Sequence, residues 1–195
     1  MQLHLNPFRT YPRIIGLFFF LMFTAIGIIL FMGFFPIVKV DSSWVLAKDL
    51  DRTMQVADNY YQSVKKTYNL KDPEKAPSRA QLKATILSTI IEDRLIELGA
   101  KRELGSDFDR VLALRLAEVI KDKESLEAGQ ALYGLRRDDF IREVLVPSLR
   151  ADILESRLSM ELKDLDGWLE EEKKKASVNI YSSDYIWNGE VVEVK

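Results

Sequence analysis

The chain has 195 residues, no cysteine and a single histidine, His4. Without cysteine there are no disulfides and no thiolate metal sites, although this does not identify the redox compartment. With one histidine as well, a His/Cys zinc site and a Cys-His dyad are excluded, and a Ser-His-Asp triad is left only His4, in the flank ahead of the apolar run. No cofactor or metal is expected. Glycine is sparse, and the nearest pair to a phosphate cradle, Gly129 and Gly134, lacks the spacing and strand context of one. A basic excess is missing too. Arg9 and Arg13 are the only charged side chains in residues 1–35, so residues 36–195 carry 26 cations against 30 anions. That mild acidity argues against nucleic acid as a partner. Carboxylate chemistry stays open in principle, but most acids fall beside Lys or Arg on helix faces and read as solvated surface.

What is present is concentrated at one end. Eight of the ten phenylalanines lie in the first 35 residues, and "IIGLFFFLMFTAIGIILFMGFF", residues 14–35, holds no charge. At about 1.5 Å per residue it reaches roughly 33 Å, enough to cross a hydrocarbon core. It is longer than a signal-peptide core, and "FPIVKVDSS" offers no convincing cleavage site. An uncleaved anchor is expected, with residues 1–13 as a cytoplasmic tail and the C-terminal part extracytoplasmic. The flanking charges come close to a tie, Arg9, Arg13 and the terminal amine against Lys39, Lys48 and Arg52, so the orientation rests on the short N-terminal tail and on the resemblance given below.

Beyond the anchor, "PIVKVD" alternates Ile37, Val38 and Val40 around Lys39 and predicts a short strand, followed by a polar break at Ser42-Ser43. A helix is predicted over 47–68, with Leu50, Met54, Ala57, Tyr61 and Val64 at helical spacing. "NLKDPEKAPS" is a linker. Ser78 then caps a broad apolar helix (Leu82, Ile86, Leu87, Ile90, Ile91, Leu95, Leu98), wide enough to pack on more than one side, with Gly99 inside it and Gly105 as its terminator. Ser106 with Asp109 resembles a capping box for a helix facing the core through Phe108, Val111, Leu112, Leu116, Val119 and Ile120. A shorter helix from Ser125 ends at Gly134. Asp138 and Asp139 open another, bent at Pro147, whose stripe continues through Leu158, Leu162, Leu165 and Leu169 as one long element. "WLEEEKKKA" is a charged exit, and "SVNIY" and "EVVEVK" read as the strands of a terminal β-hairpin.

The helix ending Ala100-Lys-Arg-Glu-Leu-Gly105, followed by Gly134-Leu135 and the acidic start Asp138-Asp139-Phe140, resembles the N-terminal chaperone domain of the SurA-type extracytoplasmic foldases. The likeness is to their membrane-anchored bacterial members and covers roughly residues 36–170. Two departures stand out. "VDSSW" occupies the place of the family's Val-Asn-Gly turn, and nothing matches the parvulin-type prolyl isomerase domain that many members carry. The resemblance implies a mainly α fold: a transmembrane helix (14–35), a SurA-N-like helical domain with short strands (36–170), and a charged exit with a C-terminal β-hairpin (171–195).

It implies a non-catalytic holdase for unfolded or nascent exported proteins, bound to lipid through residues 14–35, with a separate isomerase or the translocation machinery as candidate partners. Trp44, Met54, Tyr60, Tyr61 and Tyr68 are the candidate client-binding residues, since their apolar bodies carry adaptable or polar tips. The plainer reading of the same residues is packing of the first helix onto the bundle. Leu135 and Phe140 are expected in the core. A membrane-anchored adaptor docking one folded partner is the alternative, and a degenerate isomerase the weakest of the three.

Overall fold

The computed structural model describes residues 20–24, 27, 33–69 and 77–195. Most of the expected anchor, its N-terminal flank with His4, Arg9 and Arg13, and linker residues 70–76 lie outside these. Among the described residues no helix is long and apolar enough to cross a membrane. Residues 20–24 are helical, with Phe20, Leu21 and Phe23 exposed.

The described chain is mainly helical with a few short strands. Strand β1 (Pro36–Val40) forms where expected, and its alternation buries Val38 and Val40. The polar break does not extend to Ser43: Asp41 and Ser42 make the turn, and Ser43–Leu46 is a second strand, β2, antiparallel to β1. Asp41 adopts the left-handed conformation (φ 49°) that Asn or Gly would favour in such a turn. Its N–H donates to the Ser177 carbonyl at 2.9 Å, and its Oδ1 accepts from the Ser177 N–H at 2.8 Å.

That clamp explains a correction at the C-terminus. "SVNIY" does not pair with "EVVEVK"; it supplies β3 (Val178–Ile180), which adds to β1 so that the sheet runs β2-β1-β3. The hairpin forms instead between β4 (Tyr185–Trp187) and β5 (Val192–Val194). Its reversal is Asn188-Gly189, with Gly189 at φ +100° and Asn188 Oδ1 accepting from the Glu190 and Val191 N–H groups.

Helix α1 spans Ala47–Tyr68, and helix α2 spans Arg79–Leu104. Ser78 Oγ accepts from the Gln81 N–H while Gln81 Oε1 accepts from the Ser78 N–H, a reciprocal cap. As its apolar width implied, α2 is central. Ile86, Leu87, Ile90, Ile91 and Leu95 pack with Val38, Val40, Val45, Leu50 and Val192 in one core. Leu82, at the end of the stripe, is exposed. Ser88 Oγ accepts the Val192 N–H at 2.8 Å and ties the hairpin to α2.

The C-terminal end of α2 builds a second core from Ile96, Ala100, Phe108, Leu154 and Leu158, with Trp168 against it. Gly99 is needed there: an added Cβ would overlap the Trp168 indole and meet Leu154 Cδ2 at 3.2 Å. Gly99→Ala is expected to cost about 2 kcal/mol by overpacking, read as a lowered urea midpoint.

Gly105 (φ +55°) ends α2, but the Ser106 capping box does not form. Gly105–Asp107 is a 3-10 turn running directly into α3 (Phe108–Val119), so Ser106 never takes the extended conformation a cap requires. Of the expected α3 face only Phe108 is fully buried, and Val119 is exposed. Helix α4 (Lys123–Tyr133) starts at the Asp122 cap and ends at left-handed Gly134.

Next come α5 (Arg137–Phe140), a π-helical turn (Ile141–Leu145) and α6 (Val146–Ser159). A π turn stands where Pro147 is expected to disturb the helix. Pro147 has no N–H for the Glu143 carbonyl, and just ahead of it the Val146 N–H donates to Ile141, five residues back. Pro147→Ala is expected to lose roughly 1 kcal/mol by freeing a pre-set φ; an unchanged melting temperature would remove this role.

The one long bent helix is also corrected. Leu162 (φ 59°) is solvent-exposed and breaks it, and Asp164 caps a new helix, α7 (Leu165–Lys175), by accepting the Gly167 N–H at 2.7 Å. Position 170 falls inside α7. The charged exit is not merely solvated: Lys173 pairs with Glu92, and Arg102 with Glu172 at 3.1 Å, fastening α7 to α2.

Candidate client-binding surface and the charged cleft beside it

Helix α1 carries one apolar stripe, Leu50-Met54-Ala57-Tyr61-Val64-Tyr68, at spacings of three and four residues. Its burial changes along the helix. Leu50 is in the core, Met54 and Ala57 are half-buried against it, and Tyr61 and Tyr68 are 42% and 71% exposed. The stripe therefore outruns the body that covers its beginning.

Tyr60 lies about 100° around the helix from Tyr61 and stacks on Tyr133 with ring centroids 4.9 Å apart. Tyr133 in turn meets Phe140 at 5.7 Å. This ladder descends from an exposed ring to a buried one, and Gly129 leaves room for Phe140 where a Cβ would overlap it. Burial, then the neighbouring Tyr60 hydroxyl, pushes the Tyr133 hydroxyl up.

Between α1 and the Gly134–Glu143 stretch lies a cleft of about 270 Å³, bordered by Arg52, Asn59, Arg136 and Glu143. A second cleft, of about 230 Å³, lies where α1, α2 and the π turn meet, and Asp93, Arg94, Arg142 and Arg150 line it. Two ion pairs tie α1 to its neighbours, Arg52–Glu143 at 3.2 Å to the π turn and Arg94–Asp49 at 3.9 Å to α2, while Arg142–Glu143 at 2.7 Å and Arg136–Asp139 at 3.1 Å are local pairs within the 136–143 stretch. Hydrogen bonds from Arg142 and Arg136 hold the Asp139 carboxyl below the usual range.

Glu97 is nearly buried and accepts from Arg94 (2.9 Å), Lys101 (2.6 Å) and Arg150 (2.8 Å). Burial pushes its carboxyl up, but the Lys101 hydrogen bond and the Arg150, Lys101 and Arg94 charges together bring it below the usual value. Asp93, one turn earlier, makes no hydrogen bond or ion pair within 4.0 Å among the described residues. Burial outweighs the attraction of Arg94 and Arg150 and raises it to about 6. The cleft is thus an ion-pair lock joining α1, α2 and α6, with one strained carboxyl at its edge.

The expected client-binding residues separate into three places. Tyr61 and Tyr68 share the exposed stripe, with Met54 further in as packing. Tyr60 belongs to the aromatic ladder. Trp44 is not on α1: it sits on the outer face of β2, stacked on Tyr181 at 5.8 Å. Phe140 is buried as expected, whereas Leu135 is only half-buried.

The expectation of solvated charges fails at Glu97. Its signal was available: Arg94, Glu97 and Lys101 recur at helical spacing within the broad apolar pattern of α2, a helix wide enough to pack on more than one side. Among the described residues no group of three or more His, Cys, Asp or Glu is placed to hold a metal ion. No protein-family model matches the chain, and no curated protein or solved structure matches it.

Proposed function

We propose that the chain is a membrane-anchored extracytoplasmic holdase, attached through residues 14–35 with its N-terminus cytoplasmic, that binds unfolded or partly folded exported proteins without catalysis. The observation that supports this best is the apolar stripe of α1 continuing past its own core to exposed Tyr61 and Tyr68. The resemblance to SurA-type chaperone domains supports it from the sequence side. Each client contact of roughly 100 Å² contributes about 2.5 kcal/mol before ordering costs, so single contacts are short-lived. Fixing the domain at the membrane, where exported chains emerge, raises their effective concentration and offsets that weakness.

Light scattering of several unrelated aggregation-prone proteins, mixed with the full chain in nanodiscs, tests this against empty nanodiscs. Suppression across unrelated clients is the expected result. Tyr61→Ser with Tyr68→Ser should weaken it several-fold while leaving the melting temperature in place, since both side chains are exposed. Absence of suppression by folded protein would sink the reading. The ion-pair-bordered cleft at Arg52, Asn59 and Arg136 favours a second reading, an adaptor that docks one folded partner. Capture of a single partner in fixed ratio would mark that case.

A further inference from the structure

The seam between the apolar run and the folded domain carries an inference that rests on reading residues 14–35 as an anchor. The run ends in Gly33-Phe34-Phe35, and these residues are not a loose linker. The Gly33 carbonyl accepts from the Lys48 N–H at 3.1 Å, and the Phe35 carbonyl from the Ala47 N–H at 3.0 Å. Gly33, at φ +71°, turns the chain against the first turn of α1, where a Cβ would stand 3.3 Å from the Lys48 nitrogen. Lys48 Nζ lies 3.7 Å from the Phe34 ring centroid, and Phe34 and Phe35 are both exposed. Pro36 then enters β1 at once.

The outer face of that sheet has a matching character. Opposite the buried Val38, Val40 and Val45 it presents Lys39, Trp44, Asn179 and Tyr181. Trp44 and Tyr181 stack, both exposed, and Lys39 Nζ lies 5.2 Å from the Trp44 centroid. Nearby acids are turned to other work: Asp41 accepts the Ser177 N–H, and Asp49 accepts the Leu46 N–H and faces Arg94. Lys–aromatic pairs with apolar bodies and polar tips favour the headgroup level of a bilayer.

We propose that this sheet face lies against the phospholipid headgroups, with Phe34 and Phe35 at the acyl boundary and Lys39 and Lys48 at lipid phosphates. The domain is then seated on the membrane at a fixed tilt rather than tethered above it. An upright β1 would lift Lys39 roughly 13 Å above Phe35 at about 3.3 Å per residue. The headgroup layer is only about 5–8 Å deep, so the strand lies along the surface, and the turn at Gly33 lays it there.

The lack of cysteine makes the test direct. Full chains carrying Phe23→Cys, Asn179→Cys or Leu114→Cys are labelled with a fluorophore and placed in nanodiscs of phosphatidylcholine and phosphatidylglycerol. Nitroxides on lipid headgroups or acyl chains serve as quenchers. The label at Asn179 should be quenched by headgroup nitroxide several-fold more than the label at Leu114, which is exposed on α3, and Lys39→Glu with Lys48→Glu should shrink that difference. Equal quenching at Asn179 and Leu114, with Phe23 still quenched from the acyl chains, would leave the anchor standing and overturn the seat. An unquenched Phe23 label would remove the anchor and the seat with it. An Asn179 label shielded only when unfolded protein is added would give this face to clients instead, and would likewise overturn the proposal.

Discussion

Glu97→Ala is expected to destabilise the protein by about 3 kcal/mol or more, because removing one member of a buried ionic cluster strands the others. Glu97 pairs with three cations, and its side chain is only 12% exposed. Lys101 is half in water and can turn outward at little cost. Arg150 cannot follow as easily: its side chain is 22% exposed, and its Nε is already buried without a partner. The lost pairing therefore falls mainly on the α2–α6 contact, and the second core beneath it should loosen.

Glu97→Gln separates charge from shape. It keeps the volume and an acceptor oxygen, so it should recover part of the loss but not the neutralisation. Urea denaturation at neutral pH reads both variants. A cost below about 1 kcal/mol for Glu97→Ala would place the cluster with ordinary surface ion pairs.

The same carboxylate shows where sequence reading reaches its limit. Periodicity located α1 because Leu50, Met54, Ala57 and Tyr61 keep one spacing from end to end, and it identified α2 as central from the width of its stripe. It could not say where α1 leaves the core, since Tyr61 and Tyr68 fit the pattern as well as Leu50 does. Burial depends on what lies opposite, and that is set by pairings distant in sequence. The same limit misplaced β3: "SVNIY" is a strand by composition, but its partner is chosen by the Asp41–Ser177 clamp across 136 residues. The break at Leu162 was hidden because a leucine in a left-handed turn still satisfies a leucine repeat. At the hairpin, the stretch between "SVNIY" and "EVVEVK" reads as turn throughout, whereas Tyr185–Trp187 is a strand and the reversal is confined to Asn188-Gly189.

Asp93→Asn should act in the opposite direction to Glu97→Ala, one helical turn away on α2. Asp93 is raised from its usual 3.8 to about 6 because burial outweighs its attraction to Arg94 and Arg150. At about 1.4 kcal/mol for each pH unit, the ionised side chain costs the fold up to about 3 kcal/mol above that range. For an acid raised on folding, the folded state binds the proton between pH 4 and pH 6 while the unfolded state has released it. Stability therefore falls as pH rises through this window, and stays lower above about pH 6.

Glu97, lowered on folding, adds the other limb: its contribution is present at neutral pH and is lost as pH falls below the usual carboxylate range. Unfolding free energy measured against pH should thus peak at about pH 4–5. Asn at position 93 should flatten the descent on the alkaline side of the peak and raise stability at pH 7, leaving the acid limb in place. If the descent between pH 4 and pH 6 persists in Asp93→Asn, another group owns it and Asp93 is not the strained member of the cleft. A gain at pH 7 without loss of client binding would further show that this strain is a by-product of packing α1 and α6 over a charged turn of α2, not something the exposed stripe of α1 depends on.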